Sequence, residues 1–230
     1  QDCQEILKSK GIKNARLESK LIVQKAIRKT NLDLVLNPEM KISYGEKKKI
    51  LKKVFCRTEG KPISKIFGIR EFYSNKFIVN SYVLDPRPES EILVEKIIDI
   101  CEKKKEKKIS ILELGVGSGC LIISILKELD RNQVHGLGVD FSSKALLVAE
   151  KNRKRFKMNQ AFKIKKSNWF SSIRNKFDII FSNPPYIKSN EIKYLDKEVK
   201  LFDPLIALDG GFSGFRSYLK IASEAKHYLK

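Results

Sequence analysis

The segment Ile109–Gly119, ISILELGVGSG, is the strongest indication of the fold of this chain. Six residues of β-type composition are followed by three glycines at alternate positions, and a helical segment begins at once after the last glycine. The glycines let the backbone turn tightly and let a ligand approach where a side chain would block it. The order of strand, glycine turn and helix predicts the first unit of a doubly wound α/β sheet.

The alternation of strands and helices continues along the chain. We predict further strands at 134–139, 161–164 and 177–182, and helices at 89–101, 120–129, 142–155 and 215–229. Strands that alternate with helices of this length predict βαβ units and a parallel sheet. Ligands in such sheets bind beyond the carboxyl ends of the strands.

The glycine turn and the next strand together predict a nucleoside cofactor. The second strand ends at Asp140, 25 residues after Gly115, where a carboxylate can accept hydrogen bonds from ribose hydroxyls. Cys120 and Leu121 stand where a phosphate-binding loop has Lys and Thr, and Cys120 also replaces the last glycine of the dinucleotide fingerprint. S-adenosylmethionine is therefore favoured over a nucleotide or a dehydrogenase cofactor. A glycine turn that only packs a helix on a sheet is the alternative. The predicted cofactor-binding residues are Gly115, Val116, Gly117, Ser118, Gly119 and Asp140.

A second motif, Asn183-Pro184-Pro185-Tyr186, follows the apolar strand at 177–182. Two prolines in a row end the strand in a stiff corner. Asn183 presents a carbonyl oxygen and an NH2 group from this corner, and Tyr186 presents a flat ring. A planar amide or amino nitrogen fits there, with its N–H groups accepted by fixed oxygens. The alternative is a strand that simply ends in a proline-rich turn. Both motifs lie at strand ends, so we expect them to face one cleft.

The N-terminal part has a different pattern. Residues 1–60 predict a small helical domain, with one helix over 14–30 and a second that begins at Ser43, where Ser43 and Glu46 form a capping box. Their predicted apolar faces are Leu17, Leu21, Ile22 and Ala26, and Ile50, Leu51, Val54 and Phe55. Two β-type runs, 63–69 and 72–83, predict a β-hairpin linker over 61–85. Residues 86–230 then form the sheet domain.

The composition limits the classes of partner, site and location that fit this chain. The 230 residues carry a formal charge of +20, which fits an anionic partner such as RNA and also fits a Lys-rich solvated surface. No apolar stretch approaches the roughly 20 residues that span a bilayer, so we expect no membrane association. The four cysteines are scattered and His135 and His227 are the only histidines, which predicts no metal site, no disulfide framework and a cytoplasmic location. We read both histidines as structural or surface residues.

The chain resembles the methyltransferases that modify a glutamine in peptide-chain release factors. The most distinctive similarity lies in Val83–Glu91, VLDPRPESE. The glycine turn, Asp140–Leu147, Asn168-Trp169-Phe170, the Asn-Pro-Pro-Tyr corner and a segment around Asp203-Pro204 and Gly210-Gly211 follow in the family's order. The resemblance implies a Rossmann-like class I methyltransferase domain that uses S-adenosylmethionine, with 1–60 as the substrate-recognition domain. It also implies that Gly115–Gly119, Asp140, Asn168, Trp169 and Asn183 contact the cofactor, and that Asn183, Pro184, Pro185 and Tyr186 hold the substrate glutamine.

Several positions depart from the family's pattern. The family has an apolar residue at position 85, Thr at positions 90 and 116, Asp at position 168 and Glu at position 203. This chain has Asp85, Ser90, Val116, Asn168 and Asp203 there. Asn168 matters most, because an amide oxygen accepts from an adenine amino group more weakly than a carboxylate does. The family's sheet also continues for about three more strands. We therefore expect a C-terminally incomplete sheet, with the strand at 177–182 as an unpaired edge.

The predicted partner is a release factor, and we expect a monomer for which direct nucleic-acid binding is possible but not required. Two alternatives stay open. One is a methyltransferase of exocyclic amines on RNA or DNA bases, which would use the same corner and would explain the charge. The other is a catalytically inactive binding module of the same fold.

Overall fold

The computed structural model describes residues 2–37, 39–104, 108–130 and 133–230. The chain divides into two compact units, Gln1–Phe67 and Gly68–Lys230, and each unit has its own apolar core. No helix within the described ranges is both long and apolar enough to cross a bilayer. The domain limits at residues 60 and 85 stay a prediction.

The first unit is helical. Its helices are α1 (Asp2–Ser9), α2 (Ala15–Ile27), α3 (Asn31–Leu36), α4 (Tyr44–Thr58) and α5 (Ile63–Phe67). The capping box at the start of α4 is confirmed, because Ser43 Oγ accepts the Glu46 N–H at 3.3 Å and the Glu46 carboxylate accepts the Ser43 N–H at 2.9 Å. Ile22, Ile50 and Val54 are buried as predicted. Leu17 and Phe55 were predicted on the same apolar faces but are 59% and 62% exposed.

The β-type run predicted at 63–69 is wrong for its first five residues, which form helix α5. Periodicity cannot distinguish so short an apolar run in a strand from one in a helix. The hairpin itself is confirmed but is shorter, with β1 at Ile69–Phe72 and β2 at Asn75–Ile78 in antiparallel pairing. Tyr73 and Ser74 form its turn, and both have positive φ angles, 47° and 55°, as a type I′ turn requires.

The second unit contains the predicted parallel sheet, with strand order β5-β4-β3-β6. Its strands are β3 (Ile109–Leu114), β4 (Val134–Asp140), β5 (Phe162–Lys166) and β6 (Ile179–Ser182). Its helices are α6 (Glu91–Lys103), α7 (Cys120–Glu128), α8 (Ser143–Arg155), α9 (Lys197–Phe202) and α10 (Arg216–Ala225). The chain runs outward from β3 to β5 and then returns to the other side of β3, which makes the gap between β3 and β6 a topological switch point. Leu114 pairs with Ser182 there, so the glycine turn and the Asn-Pro-Pro-Tyr corner leave the sheet side by side.

The C-terminal residues correct two predictions. The helix predicted at 215–229 begins at Arg216 and ends at Ala225. The Phe177 N–H donates to Tyr228 O at 2.8 Å and the Lys230 N–H donates to Phe177 O at 3.0 Å. The edge of the predicted strand 177–182 is therefore paired at its first residue, contrary to the prediction. Its first residue has a parallel partner in Leu229, while β6 pairs only with β3 in the part of the chain that the structure describes.

Candidate active site

A cavity of about 680 Å³ lies in the second unit, at the carboxyl ends of β3, β4 and β6. Ten of the predicted site residues line it: Gly115, Val116, Gly117, Ser118, Asp140, Asn168, Trp169, Asn183, Pro184 and Pro185. Gly119 and Tyr186 do not belong to this lining. The structure therefore brings the two sequence motifs to one cleft.

The three glycines of the turn have different structural roles. All have positive φ angles, 73° at Gly115, 52° at Gly117 and 77° at Gly119, which favour glycine over any other residue. A Cβ atom added at Gly115 would meet nothing within 4 Å, and one at Gly117 would meet only a backbone oxygen at 4.0 Å. A Cβ at Gly119 would instead lie 3.3 Å from Ile123 Cδ1. Gly115 and Gly117 thus keep space open, whereas Gly119 lets the start of α7 pack closely.

Asp140 is held by the backbone on both carboxylate oxygens. Its Oδ2 accepts the Gly117 N–H at 2.9 Å and its Oδ1 accepts the Ser142 N–H at 2.8 Å. Burial raises the pKa of Asp140, and the hydrogen bonds from Ser142 and Gly117 act in the opposite direction. Each carboxylate oxygen keeps a further lone pair, so Asp140 can accept ribose hydroxyls while it fixes the glycine turn.

Asn168 and Trp169 form another part of the cavity wall. The Asn168 N–H donates to Ser171 Oγ at 3.1 Å, and the residue itself is exposed. Trp169 has a φ of 50°, a conformation that is uncommon for a large side chain. Its backbone oxygen accepts the Ser167 hydroxyl at 2.8 Å, which helps to hold this conformation.

The corner at Asn183 is fixed to the sheet and to the segment before α6. The Ser182 hydroxyl donates to Leu114 O at 2.7 Å, and Asn183 Nδ2 donates to Ser90 Oγ at 3.2 Å. Asn183 Oδ1 and Pro184 O accept no hydrogen bond from the residues that the structure describes. Tyr186 is 58% exposed and does not belong to the cavity lining.

A later loop packs against the backbone of this corner. The Ile187 N–H donates to Leu208 O at 3.0 Å and the Gly210 N–H donates to Ile187 O at 2.8 Å. A Cβ atom at Gly210 would lie 2.5 Å from Gly214 O and 2.8 Å from Tyr186 Cα. The loop can approach the corner this closely only because residue 210 has no side chain.

Glu113, a buried acid in the cavity wall, was not among the residues predicted for the site. Glu113 is the penultimate residue of β3, is 2% exposed and accepts the Ile122 N–H at 3.2 Å. Its burial raises the pKa of the carboxyl well above the ordinary value. The signal available in the sequence was a single charged residue in a mostly apolar strand.

Arg87 also lines the cavity and anchors its surroundings. Its guanidinium donates to Asp203 Oδ2 at 2.6 Å, while Asp203 Oδ1 accepts the Asp85 N–H at 3.2 Å. Asp203 is buried. The distinctive segment at 83–91 is thereby tied to the residues that follow α9.

Asn152 connects the glycine turn with the hairpin. This fully buried residue of α8 accepts the Ile78 N–H at 2.7 Å through Oδ1. Its Nδ2 donates to Ile78 O at 3.0 Å and to Ser118 O at 2.8 Å. One side chain therefore holds strand β2 and the cofactor turn together.

Comparisons with known proteins show the family to which this chain belongs. Residues 87–199 match the family model Methyltransferase small domain, and residues 1–68 match PrmC N-terminal domain. A protein of Agrobacterium fabrum named Release factor glutamine methyltransferase is 36% identical, over 97% of this chain and 77% of the relative. One of the same name from Caulobacter vibrioides is 33% identical, over 97% and 76%. The chain belongs to the release factor glutamine methyltransferase family.

Two further comparisons show how far the similarity extends. A Bifunctional methyltransferase of Rickettsia bellii is 38% identical, and the match covers 96% of this chain but 44% of the relative, so the chain spans less than half of that protein. The solved structure of the hMettl16 catalytic domain in complex with MAT2A 3'UTR hairpin 6 has a TM-score of 0.54 at 13% identity, over 77% of this chain and 63% of that one. This likeness shows the fold alone. The predictions of the family and of a class I methyltransferase fold are confirmed.

S-adenosylmethionine is the cofactor of this methyltransferase, and the cavity fits it. The volume of about 680 Å³ lies within the range of small-molecule sites, about 300–1,000 Å³. Asp140 offers acceptors for a ribose, and the open space at Gly115 and Gly117 admits a ligand against the backbone. The two histidines are exposed and do not line the cavity, and the described ranges hold no group of metal-ligating side chains.

Proposed function

We propose that this methyltransferase transfers a methyl group from S-adenosylmethionine to the side-chain amide nitrogen of a glutamine in a peptide-chain release factor. The observation that carries the proposal is the position of Asn183. Its side chain stands at the switch point beside the glycine turn, with Nδ2 bonded to Ser90 and Oδ1 available to a substrate. The relatives named for this reaction support the same substrate.

The chemical difficulty lies in the substrate. An amide nitrogen is a poor nucleophile because its lone pair is delocalised into the carbonyl group. When bound, S-adenosylmethionine supplies a methyl group on a positively charged sulfur, which becomes a neutral thioether once the methyl group leaves. Asn183 Oδ1 and Pro184 O accept the two amide hydrogens and direct the lone pair towards the methyl group. Orientation of this kind can contribute up to about 7–11 kcal/mol to lowering a barrier.

No general base is needed at the nitrogen. One N–H proton leaves to water after the new N–C bond has formed, so the two acceptors only have to orient the amide. In this proposal Pro184 and Pro185 stiffen the corner, while Tyr186 acts through its backbone rather than by stacking. Gly115–Gly119, Asp140, Asn168 and Trp169 hold the cofactor, with Asn168 next to the adenine and Asp140 at the ribose.

The decisive variant is Asn183→Ala. We expect kcat for methylation of the release factor to fall by about 100-fold, because one of two orienting acceptors is lost. Intact-mass and peptide mass spectrometry would detect the methyl group and locate it on glutamine. Asn190→Ala is the matched control, because Asn190 is exposed and lies outside the cavity lining. Unchanged turnover of Asn183→Ala would sink the assignment.

Two parallel measurements separate the alternatives. Labelled cofactor offered with RNA instead of the release factor tests for a base methyltransferase, which would transfer label to RNA alone. Calorimetry with S-adenosylmethionine tests for an inactive scaffold, which need not bind the cofactor and would transfer no methyl group. Transfer to glutamine with measurable cofactor binding is the result we expect.

The proposal also covers where the enzyme acts and with which partners. The cysteines at positions 3, 56, 101 and 120 are free, which agrees with a reducing cytoplasm. We propose that the enzyme acts there as a monomer and needs no direct contact with nucleic acid.

A further inference from the structure

The side chain of Asn183 has a partner that the reaction itself does not require. Asn183 Nδ2 donates to Ser90 Oγ at 3.2 Å, across 93 residues of sequence. Ser90 lies in the cavity wall at the end of the short 3-10 turn Pro88–Ser90, immediately before α6. A hydroxyl therefore fixes one end of the amide whose other end faces the substrate.

The direction of that amide matters for the chemistry. An asparagine side chain carries an acceptor on one side and two donors on the other, and half a turn exchanges them. Ser90 can bond to either end, since a hydroxyl both donates and accepts. Only one orientation leaves Oδ1 for a substrate N–H, because the other would set the NH2 group against the substrate's own donors. The structure has the productive orientation, with Nδ2 on Ser90.

Ser90 is itself held in place. Its N–H donates to Arg87 O at 3.0 Å. The Arg87 guanidinium is bonded to the buried carboxylate of Asp203 at 2.6 Å, and Asp203 also accepts the Asp85 N–H. The turn that presents the hydroxyl is therefore anchored on its N-terminal side, and α6 begins directly after it.

We propose that Ser90 is a positioning residue, which holds the Asn183 amide at the place and in the plane that receive the substrate nitrogen. This inference rests on the proposed function only in taking Asn183 as the acceptor. It applies to a glutamine amide and equally to another planar amine. Because the role is orientation, it should affect kcat and leave the affinity for the cofactor unchanged.

The kinetic test compares Ser90→Ala with Ser90→Thr. Loss of one hydrogen bond corresponds to about a tenfold lower kcat for the alanine variant. We expect KM for the release factor and Kd for S-adenosylmethionine to stay within about twofold. The threonine variant keeps the hydroxyl and should restore kcat. Ser81→Ala is the matched control, because Ser81 is exposed and lies outside the cavity lining. A wild-type kcat in Ser90→Ala, or no rescue by threonine, would overturn the proposal.

A second measurement does not depend on turnover. In ¹⁵N-labelled protein, the side-chain NH2 signals of Asn183 can be assigned by their loss in Asn183→Asp. We expect these signals to shift and broaden in Ser90→Ala and to return in Ser90→Thr. Signals that stay unchanged in Ser90→Ala contradict the proposal even if the release factor proves to be the wrong substrate. If the alanine variant does not fold, Ser90→Cys, a weaker acceptor of similar size, gives the same comparison.

Discussion

Gly210→Ala is the sharpest structural test of how the corner at Asn183 is held. The added Cβ would lie 2.5 Å from Gly214 O and 2.8 Å from Tyr186 Cα, where ordinary contact begins at 3.4 Å. Both neighbours are backbone atoms, so no side chain can turn away. To reach ordinary contact, the corner at Tyr186 must move by roughly 0.6 Å and Gly214 O within the loop by roughly 0.9 Å, and forced expansion of a packed site costs about 1–3 kcal/mol.

This displacement should affect turnover more than it affects cofactor binding. A loss of about 2 kcal/mol lowers the melting temperature by roughly 4–8 °C in a protein of this size. A misplacement of about 1 Å can lower kcat about 100-fold, because the acceptors no longer align the substrate nitrogen. The cofactor turn and Asp140 lie on β3 and β4, so Kd for S-adenosylmethionine should change by less than about threefold.

The assay combines thermal unfolding, calorimetry with the cofactor and mass-spectrometric methylation. Gly45→Ala is the stability control, because a Cβ there meets nothing within 4 Å. Gly45 lies inside α4, where alanine should stabilise the helix by roughly 0.5–1 kcal/mol. If Gly210→Ala has the same melting temperature and kcat as the unsubstituted protein, the close approach of the loop does not hold the corner, and the reasoning fails.

Two further predictions concern the cavity wall. Burial raises the pKa of Glu113 above that of the unfolded chain, so the folded protein binds more protons and its stability falls as pH rises from about 4.5 towards the raised pKa. Glu113→Gln keeps an acceptor for the Ile122 N–H and should remove this dependence of stability on pH. If the melting temperatures of the two proteins change equally between pH 5 and 8, the carboxyl of Glu113 does not cause the dependence. Arg87→Ala leaves the buried Asp203 carboxylate without its guanidinium and should lower the free energy of unfolding by about 3 kcal/mol in urea titrations. A loss below about 0.5 kcal/mol would mean that the pair does not anchor the segment.

The parts of the fold that sequence could predict are those set by local pattern. The alternation of strands and helices predicted the parallel sheet, and the strand ends placed the glycine turn and Asn183 in one cleft. The capping box at Ser43 follows from residues three apart, and the structure has it. Such features depend on a few neighbouring residues, so they can be read before any tertiary contact is known.

The remaining features depend on contacts between distant residues. Gly117 and Gly119 belong to one motif, but a side chain at Gly119 would meet Ile123, Phe162 and Ala149, whereas one at Gly117 would meet none of them. Tyr186 is exposed, and its backbone is contacted by the loop at Gly210, which lies far along the chain. Phe55 continues a helical apolar pattern but is exposed, since the pattern does not state how wide the buried face will be. No sequence period encodes these contacts.

The bonds of Asn152 have a consequence for motion. Its amide holds both backbone groups of Ile78 and the carbonyl of Ser118. The backbone N–H of Ile78 cannot exchange its proton with solvent until its hydrogen bond to Asn152 breaks. The same movement of Asn152 breaks its hydrogen bond to Ser118 in the cofactor turn. Local opening of the hairpin and loosening of the turn are therefore one cooperative event. The exchange rate at Ile78 then reports, from outside the cavity, how well ordered the cofactor turn is.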